Sequence, residues 1–516
     1  MSVLSELSRS QEVMQKLFPD DVHNQTLVKI VRPADWISPD PASRYNLVVL
    51  GAGTAGLVAA AGAAGLGARV ALVERHLLGG DCLNYGCVPS KAIISAARVT
   101  AAVRGAGEFG VRVPEGWQVD FSAAMERMRR LRGGISRHDS AARFRDLGVD
   151  VFFGEGHFTG PDTITVAGRT LRFSKTLIAT GTRAAVPPIP GLSQVQYLTN
   201  ESVFSLTELP KRIGIIGAGP IGCELAQTFA RFGSEVILVE SAHGILPREE
   251  PDAAEIVKRS LLRDGVRLLC CARSTEVREH GDEVLLHVES HGAIHEELVD
   301  KLLVAVGRVP NVEKLNLESA DIAYDLKAGV HVDDHLRTTN PRVFAVGDVC
   351  SQYKLTHAAD FMARIVIPNA LFKGRARFSA LVVPWCTYTS PEIAHVGLYP
   401  KEAELRGISI DTYVQEFSNV DPAVLEGETE GFVRIHTKKG SDHIVGATIV
   451  GTNAGELICE VALAMAHGLG LKKIADTIHP YPTRAEAIRK VCDNYNRSRL
   501  TPFVRWLFQK WFAWTR

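Results

Sequence analysis

The 516-residue sequence has no excess of charge, few cysteines and no long apolar run. Its 58 basic and 58 acidic side chains cancel, so the overall charge favours neither a nucleic acid nor a strongly acidic partner. Nine cysteines, an odd number and small for this length, exclude a disulfide-stapled secreted scaffold. No run of about eighteen apolar residues occurs, which argues against a membrane-spanning helix. What remains is the composition of a globular protein of several domains.

The N-terminal segment and most cysteines carry little functional information. Residues 1–44 are polar and mixed, so we predict a loosely packed extension. It has no apolar core typical of a signal peptide, and a reducing, cytoplasmic compartment is the expectation. Single cysteines inside apolar segments are expected to pack as small hydrophobes. The adjacent Cys270 and Cys271 are expected to point to opposite faces of a strand and to pack in the same way.

Two segments combine an apolar strand, a glycine turn, a helix and a second strand that ends in an acid. They contain "VVLGAGTAG" and "GIIGAGPIG". In each, the acid lies 23 residues beyond the first glycine. These spacings fit a dinucleotide, because the glycines allow a tight turn, a close approach of the pyrophosphate and close helix packing, while the acid binds a ribose. The candidate residues are Gly51, Gly53, Gly56 and Glu74 in the first segment, and Gly217, Gly219, Gly222 and Glu240 in the second.

Three further strands end in glycine turns, in "IATGT", "VAVGRVPN" and "FAVGDV". Each is weak evidence alone, since an ordinary strand end reads the same way. Together with the two dinucleotide segments they add candidate cofactor residues: Thr180, Gly181, Gly307, Gly347 and Asp348. Two nucleotide sites on one chain indicate electron transfer between two cofactors.

A pair of cysteines, Cys82 and Cys87, lies in "GDCLNYGCVPSK". Residues five apart on a regular helix are separated by about 7.5 Å along the axis, so a disulfide needs a distorted turn, which Gly86 allows. Pro89 suits a first helical turn, so Cys87 is predicted near a helix N-terminus, where a thiol pKa is lowered. We interpret the pair as redox-active; an inert buried pair is the alternative.

A disulfide and a hydride each carry two electrons. A flavin between them accepts hydride and exchanges electrons with sulfur. The sequence therefore predicts FAD at the first nucleotide site, beside Cys82 and Cys87. Because Glu240 repels a ribose 2′-phosphate, the second site is predicted to prefer NADH over NADPH. His243 and Arg248 could still supply charge for NADPH.

These motifs together resemble the pyridine nucleotide–disulfide oxidoreductases, which include lipoamide dehydrogenase, glutathione reductase and mercuric reductase. The resemblance runs from about Tyr45 to Asn496. It implies that Cys82 meets the substrate and that Cys87 contacts the flavin. It also implies that Asp348 binds the ribityl and phosphate region of FAD, Glu74 its ribose, and that Lys91 beside the flavin pairs with Glu224.

The sequence departs from the thiol-forming members of the family near its C-terminus, in "IHPYPTRAEAIRK". His479 matches the first histidine of their motif, Tyr481 replaces the catalytic second histidine, and Glu486 is retained. A phenol shuttles protons poorly at neutral pH, although His479 could take over or Tyr481 could only pack. Mercuric reductase also has a tyrosine here, and another that Tyr197 matches, so the resemblance is strongest to mercuric-reductase-like members. An N-terminal CxxC domain and terminal adjacent cysteines typical of those enzymes are not found.

The expected fold is α/β, with two Rossmann-like domains for FAD and NAD(P) and a C-terminal α+β dimerisation domain. The expected function is an FAD-dependent oxidoreductase that reduces a metal ion such as Hg(II) or another small acceptor, with no resident metal, as a homodimer. A lipoamide-dehydrogenase-like disulfide reductase, a diaphorase and a redox-sensing flavoprotein are the alternatives. The predicted boundaries are 1–44 for the extension, 45–190 and 312–382 for the FAD domain, 191–311 for the NAD(P) domain, 383–500 for the dimerisation domain and 501–516 for the tail.

The tail, "LTPFVRWLFQKWFAWTR", places aromatic and basic residues at helical spacing. Such a helix favours a membrane interface, and packing on the dimer or on the same chain is the alternative. A peripheral membrane contact of an otherwise cytoplasmic enzyme and packing of the tail on protein are therefore both open.

Overall fold

The structure is a computed structural model that describes residues 17–516. The predicted extension is thus described only in part, and residues 1–16 lie outside the described residues. The strands are β1 Tyr45–Leu50, β2 Val70–Glu74, β3 Val149–Phe153, β4 Gly156–Gly160, β5 Thr163–Val166, β6 Arg169–Ile178, β7 Thr182–Ala184, β8 Arg212–Ile216, β9 Glu235–Val239, β10 Val266–Leu269, β11 Ala272–His280, β12 Glu283–Ser290, β13 Ala293–Val299, β14 Lys301–Val304, β15 Arg308–Pro310, β16 Tyr324–Asp325, β17 Gly329–Val330, β18 Val343–Ala345, β19 Pro384–Thr387, β20 Glu392–Gly397, β21 Ile410–Glu416, β22 Phe432–Lys438 and β23 Ile444–Gly451.

The α-helices lie between these strands and at the C-terminus. They are α1 Val22–Val31, α2 Thr54–Gly65, α3 Gly80–Asn84, α4 Cys87–Gly105, α5 Phe121–Ile135, α6 Ala141–Asp146, α7 Pro220–Phe232, α8 Pro251–Arg263, α9 Thr356–Leu371, α10 Pro400–Leu405, α11 Asp421–Leu425, α12 Ala454–Ala466, α13 Leu471–Ala475, α14 Glu486–Ser498 and α15 Pro502–Thr515. Short 3₁₀ turns are also present, among them Gly347–Val349.

The chain divides into two compact units. The first comprises the described part of Met1–Gly217 with Thr228–Ile237 and Ser274–Ala380. The second comprises Ala218–Gln227, Leu238–Arg273 and Leu381–Arg516.

The first unit is organised by a sheet of order β3-β2-β1-β6-β5-β4, with β18 also paired to β6. Strands β1, β2, β3, β6 and β18 run parallel, whereas β4 and β5 join antiparallel. Strand β1 is almost entirely buried because a parallel strand is covered on both faces. Helix α2 packs closely on α9, since a Cβ on Gly62 would lie 2.6 Å from the Cδ1 atom of Ile367.

Part of the predicted extension is a packed helix. In α1, Leu27 and Val31 are fully buried, and Asp21 caps the helix while pairing with Arg129 of α5 at 2.5 Å. The expectation of loose packing is therefore wrong for this part of the N-terminal segment. Its polar composition hid a helix whose few apolar residues share one face.

The second unit contains an antiparallel sheet of order β19-β20-β23-β22-β21. Its core joins the sheet to α12 and α14, and α14 buries the face formed by Ile488, Val491, Cys492 and Tyr495. This mixture of sheet and helices is the α+β arrangement predicted for the C-terminal part. The predicted α/β class is confirmed by the parallel sheet of the first unit.

Candidate redox site

The first glycine turn leaves β1 and enters α2. Gly51 has φ +99°, and a Cβ there would collide with the carbonyl oxygen of Ala179. Gly56 lies so close to Gly51 that a side chain would strike its carbonyl oxygen. Gly53 caps α2 without a side-chain hydrogen bond. The first N–H groups of α2 therefore have no side-chain cap, which is the arrangement that binds a pyrophosphate.

Glu74 lies at the end of β2, buried against the same turn. Its carboxylate accepts hydrogen bonds from the backbone N–H of Ala52 and of His76, both at 2.7 Å. Burial raises the pKa of Glu74, although both backbone bonds and the charges of Arg75 and Arg32 oppose the rise. A buried carboxylate at this position fits a ribose diol, which would donate hydrogen bonds to it.

The second glycine turn repeats this geometry. Gly217 has φ +104°, and a Cβ there would lie 2.6 Å from the carbonyl oxygen of Ala305. Gly219 immediately precedes α7, and Gly222 lies within its first turn. The carboxylate of Glu240 accepts the backbone N–H of Ala218 at 2.8 Å, as Glu74 accepts that of Ala52. The two turns therefore have the same arrangement. In each, the carboxylate at the end of the second strand accepts a hydrogen bond from the backbone N–H of the residue after the first glycine.

Cys82 and Cys87 lie on successive helices. Cys82 is in the short α3, and Cys87 is the first residue of α4, capped by Gly86. A Cβ on Gly86 would lie 2.9 Å from the carbonyl oxygen of Asp81 and 3.5 Å from the Cα atom of Cys82. The missing side chain at Gly86 therefore lets the two cysteines approach, and the predicted place of Cys87 at a helix N-terminus is confirmed.

The two thiols interact directly. Both are free, Cys82 half-buried and Cys87 exposed. The hydrogen bond with Cys87 is the main cause that raises the pKa of the Cys82 thiol, and burial adds to it. The Sγ atom of Cys87 also lies 3.3 Å from the Oγ1 atom of Thr356 at the start of α9. Two thiols close enough to share a hydrogen bond are positioned to form a disulfide.

Gly79 and Gly80, which precede Cys82, place the cysteine pair against the first glycine turn. The backbone N–H of Gly79 donates to the carbonyl oxygen of Ala52 at 2.8 Å. A Cβ on Gly80 would lie 2.7 Å from the Cα atom of Gly53. The redox pair is therefore held against the turn that sequence analysis assigned to FAD.

Asp348 lies in a half-buried polar cluster. Its carboxylate accepts the hydroxyl of Thr182 at 2.9 Å and lies 3.8 Å from the Nε atom of Arg308. Arg308 also pairs with Asp81, the neighbour of Cys82, and Lys354 donates to the carbonyl oxygen of Asp348. Burial is the main cause that raises the pKa of Asp348.

Arg308, Lys354 and Thr356 were not among the site residues predicted from the sequence. Arg308 follows the predicted Gly307 in "VGRVPN", so a cation directly after a glycine strand end was an available signal. For Lys354 and Thr356 no such pattern exists, because only the fold brings α9 and the turn before it to Cys87 and Asp348.

The remaining predicted residues of the first unit lie near this cluster in the chain. Thr180 exchanges hydrogen bonds with Asn311, donating to its carbonyl oxygen at 2.8 Å and accepting from its side chain at 2.9 Å. Gly181, Gly307 and Gly347 have φ of +65°, +124° and +73°, values that favour glycine. Lys91 lies one turn beyond Cys87 on α4.

Glu224 belongs to the second unit, where it is buried on α7 and accepts the backbone N–H of Tyr388 at 2.9 Å. The pairing of Lys91 with Glu224 stays a prediction.

The C-terminal residues do not form the acid–base pair of the thiol-forming members. His479 lies 2.8 Å from Glu460 through its Nε2 atom, and Glu486 pairs instead with Arg489 at 3.0 Å. The carboxylate that lies beside His479 is therefore that of Glu460. Tyr481 donates its hydroxyl to Asp421 at 2.9 Å, and this bond raises its pKa.

The residues of the first unit fit FAD. The glycine turn admits a pyrophosphate, Glu74 offers a buried acceptor for a ribose, and Asp348 offers a second carboxylate beside the cysteine pair. Gly51, Gly53, Gly56 and Glu74 would hold the adenosine and pyrophosphate parts, and Asp348 with Thr180 and Gly181 the remainder.

Comparisons with known proteins identify the family. Residues 45–363 match the pyridine nucleotide-disulphide oxidoreductase family, and residues 383–492 match the dimerisation domain of the same family. A mercuric reductase of Staphylococcus aureus is 34% identical over 445 residues, covering 86% of this chain and 81% of the relative. A dihydrolipoyl dehydrogenase of Chlamydia muridarum is also 34% identical, covering 86% of this chain and 95% of the relative.

A solved structure shows the same fold. The HOCl-induced flavoprotein disulfide reductase RclA from Escherichia coli superposes with a TM-score of 0.77 at 29% identity, covering 87% of this chain and 99% of that protein. The predicted fold class, with dinucleotide-binding and dimerisation domains, is thereby confirmed. The chain is an enzyme of the FAD-dependent pyridine nucleotide–disulphide oxidoreductase family, which uses FAD and a nicotinamide nucleotide.

Proposed function

We propose that this enzyme passes electrons from NADH to the Cys82–Cys87 pair and from there to a thiophilic metal ion such as Hg(II). The observation that carries the proposal is the C-terminal motif. There Tyr481 replaces the acid–base histidine, His479 is engaged by Glu460, and Glu486 is engaged by Arg489. An acceptor that needs no proton on a leaving thiol suits this arrangement best.

The cysteine pair supplies the metal ligands. FAD, when bound, accepts a hydride and passes two electrons to sulfur. Thr356 holds the Sγ atom of Cys87, while Cys82 in α3 stays within hydrogen-bonding reach of Cys87. Soft cations bind thiolates strongly, and binding displaces the protons that the two thiols hold. A metal ion is thus a substrate that makes use of both sulfur atoms.

The electron balance closes without a further reactant. NADH gives two electrons and becomes NAD⁺ with release of one proton, and Hg(II) takes two electrons to become Hg(0). RclA, one of the similar structures, was solved as a Cu(II) complex, at a TM-score of 0.77 and 28% identity. That finding concerns RclA, and it supports testing Cu(II) beside Hg(II).

The decisive experiment is anaerobic NADH oxidation with Hg(II) and excess thiol. We expect Hg(II)-dependent turnover in the wild type and in Cys459→Ser, an exposed cysteine outside the site, but not in Cys82→Ser. Flavin reduction by NADH without any stimulation by Hg(II) or Cu(II) would refute the metal ion as acceptor. Turnover that survives Cys82→Ser would identify a diaphorase, which needs the flavin alone.

Dihydrolipoyl dehydrogenase activity is a second candidate, because relatives with that name are as similar as the mercuric reductases. It requires a proton donor for the leaving thiol, and His479 is the histidine available in the motif. NADH-dependent reduction of lipoamide that is lost in His479→Gln would favour this function over metal reduction.

We propose NADH as the preferred nucleotide. The carboxylate of Glu240 is fixed by three hydrogen bonds, from the backbone N–H of Ala218 and Ala242 and from the hydroxyl of Ser241. A fixed negative charge where a 2′-phosphate would lie disfavours NADPH.

We propose a homodimer, built through the dimerisation domain, that contacts an anionic membrane surface through α15. None of the helices in the part of the chain that the structure describes is both long and apolar enough to span a bilayer. The large apolar side chains of α15 are exposed, apart from the half-buried Val504. Arg505, Lys510 and Arg516 lie among them without an acidic neighbour between residues 501 and 516, as expected for contact with anionic lipid. A cytoplasmic location remains a prediction.

Flotation with anionic vesicles tests the membrane contact. We expect the full-length chain to float and a chain ending at Leu500 to remain at the bottom, with Arg505→Gln/Lys510→Gln floating less. Equal behaviour of the full-length and shortened chains would end this proposal. A change of oligomeric state on shortening, without any flotation, would assign α15 to a contact between copies of the chain.

A further inference from the structure

A second cysteine pair lies in the second unit, where sequence analysis expected only packing. Strand β10 ends at Leu269 and β11 begins at Ala272, so Cys270 and Cys271 lie between strands. Cys271 has φ +55°, which few residues with a Cβ adopt. Because of this turn the two thiols do not point to opposite faces, and their Sγ atoms lie within 4.8 Å of each other. The expectation of separate packing is therefore wrong.

His243 lies against this pair. The backbone N–H of Cys271 donates to the carbonyl oxygen of Ala242 at 2.9 Å. The backbone N–H groups of Glu240 and Ala272 bond to the carbonyl oxygens of Leu269 and Glu240 at 2.9 and 3.0 Å. These bonds hold the loop after β9 beside the cysteines. The Nδ1 atom of His243 then lies 3.2 Å from the Sγ atom of Cys271.

The exposure of the pair allows an ion to enter from solvent. Both cysteines are half-buried, and neither forms a disulfide. Burial and the interaction with Cys270 raise the pKa of the Cys271 thiol, so a metal ion would have to displace its proton. An imidazole nitrogen, the Nδ1 atom of His243, lies within 3.2 Å of the Sγ atom of Cys271 in this pair.

Two thiols and an imidazole are the donor set of zinc and other soft d¹⁰ cations. Structural zinc sites use four protein ligands, whereas three protein ligands leave a position open for water or a small thiol. We propose that Cys270, Cys271 and His243 form a binding site for a thiophilic d¹⁰ cation such as Zn(II) or Cd(II), made of residues other than those of the redox pair. The site goes beyond the expectation that the protein holds no metal. It does not depend on which acceptor the enzyme reduces.

The binding reaction is a ligand exchange without electron transfer. The cation loses bound waters and gains two sulfur ligands and one nitrogen ligand. Two thiol protons are released to solvent. No oxidant or reductant is required.

Cadmium titration of the FAD-loaded Cys82→Ser/Cys87→Ser variant tests the site, because the redox pair then offers no thiols. Cadmium–thiolate bonds give an ultraviolet charge-transfer absorption. We expect this absorption to saturate at one ion per chain and to vanish when Cys270→Ser or Cys271→Ser is added. His243→Gln should weaken binding about tenfold or more, and Cys459→Ser should leave it unchanged. Absorption that persists in Cys271→Ser, or none at all, would overturn the proposal.

A measurement on the unaltered chain avoids dependence on variants that fail to fold. We expect Cd(II) to protect both Cys270 and Cys271 of the native holoenzyme from alkylation, read by peptide mass spectrometry, while the exposed Cys459 stays reactive. Equal alkylation of Cys270 and Cys271 with and without Cd(II) would contradict the site.

Discussion

The two glycine turns of this protein share one plan, yet the cysteine pair beside each has a different form. At the first turn, Cys82 and Cys87 are separated by a helix break at Gly86 and meet at a helix N-terminus. At the second, Cys270 and Cys271 are adjacent and meet because Cys271 takes a left-handed conformation beside the loop that follows Glu240. The number of residues between two cysteines therefore does not by itself distinguish a redox pair from a pair of metal ligands.

The largest difference between the pairs should appear in catalysis. Cys82→Ser removes one of two sulfur atoms that accept electrons, so we expect turnover with the acceptor to fall about a thousandfold or more. The flavin should still be reduced by NADH, as rapid-mixing absorbance would show. Cys459→Ser is the matched control, and a comparable loss there would point to a general thiol requirement.

The geometry of the first pair should be sensitive to Gly86. A Cβ in Gly86→Ala would lie 2.9 Å from the carbonyl oxygen of Asp81, so α3 and α4 must shift apart. We expect disulfide-dependent turnover to fall roughly ten- to a hundredfold.

Gly105→Ala, at the far end of α4, is the matched control because nothing lies within 4 Å of its added Cβ. Steady-state rates that fall equally in both variants would show that the helix itself, rather than the approach of the thiols, was disturbed.

A substitution at the second turn should change the preference of the enzyme between NADH and NADPH. Glu240→Gln removes the negative charge while keeping one acceptor for the Ala218 N–H. We expect the ratio of kcat/KM for NADH over NADPH to fall about tenfold, equivalent to ~1.4 kcal/mol. Initial rates with both nucleotides measure this ratio, and an unchanged ratio would mean that Glu240 does not face the 2′ position.

The smallest expected effect concerns the carboxylate of the first turn in the FAD-free protein. Burial raises the pKa of Glu74 in the folded state. The stabilising contribution of the Glu74 carboxyl group to the free energy of unfolding is therefore fully present below its pKa in the unfolded state. This contribution is lost as the pH rises through its pKa in the folded state. We expect Glu74→Gln to gain stability relative to the wild type as the pH rises through this range.

Urea unfolding of the FAD-free wild type and Glu74→Gln between mildly acid and neutral pH measures the change. The exposed Glu404 supplies the control Glu404→Gln. A difference between Glu74→Gln and wild type that is constant with pH would contradict the assignment of a raised pKa.

Residue spacing alone predicts the two glycine turns, the acids that end their second strands and the cysteine pair Cys82 and Cys87. These features rest on local backbone demands. Gly51 and Gly217 need conformations with positive φ, and Cys87 needs only the start of a helix. These conformational requirements involve only a few neighbouring residues, so they can be recognised from the spacing of those residues in the sequence.

Which side chains lie beside these residues is visible only in the folded chain. Asp348 is contacted by Arg308 and Lys354, and Cys87 by Thr356, all from other segments of the chain. The imidazole of His479 interacts with Glu460. The left-handed turn at Cys271, which sequence analysis assigned to a strand, depends on hydrogen bonds to the loop after β9. Long-range contacts of this kind leave no fixed spacing in the chain, and therefore only the fold reveals them.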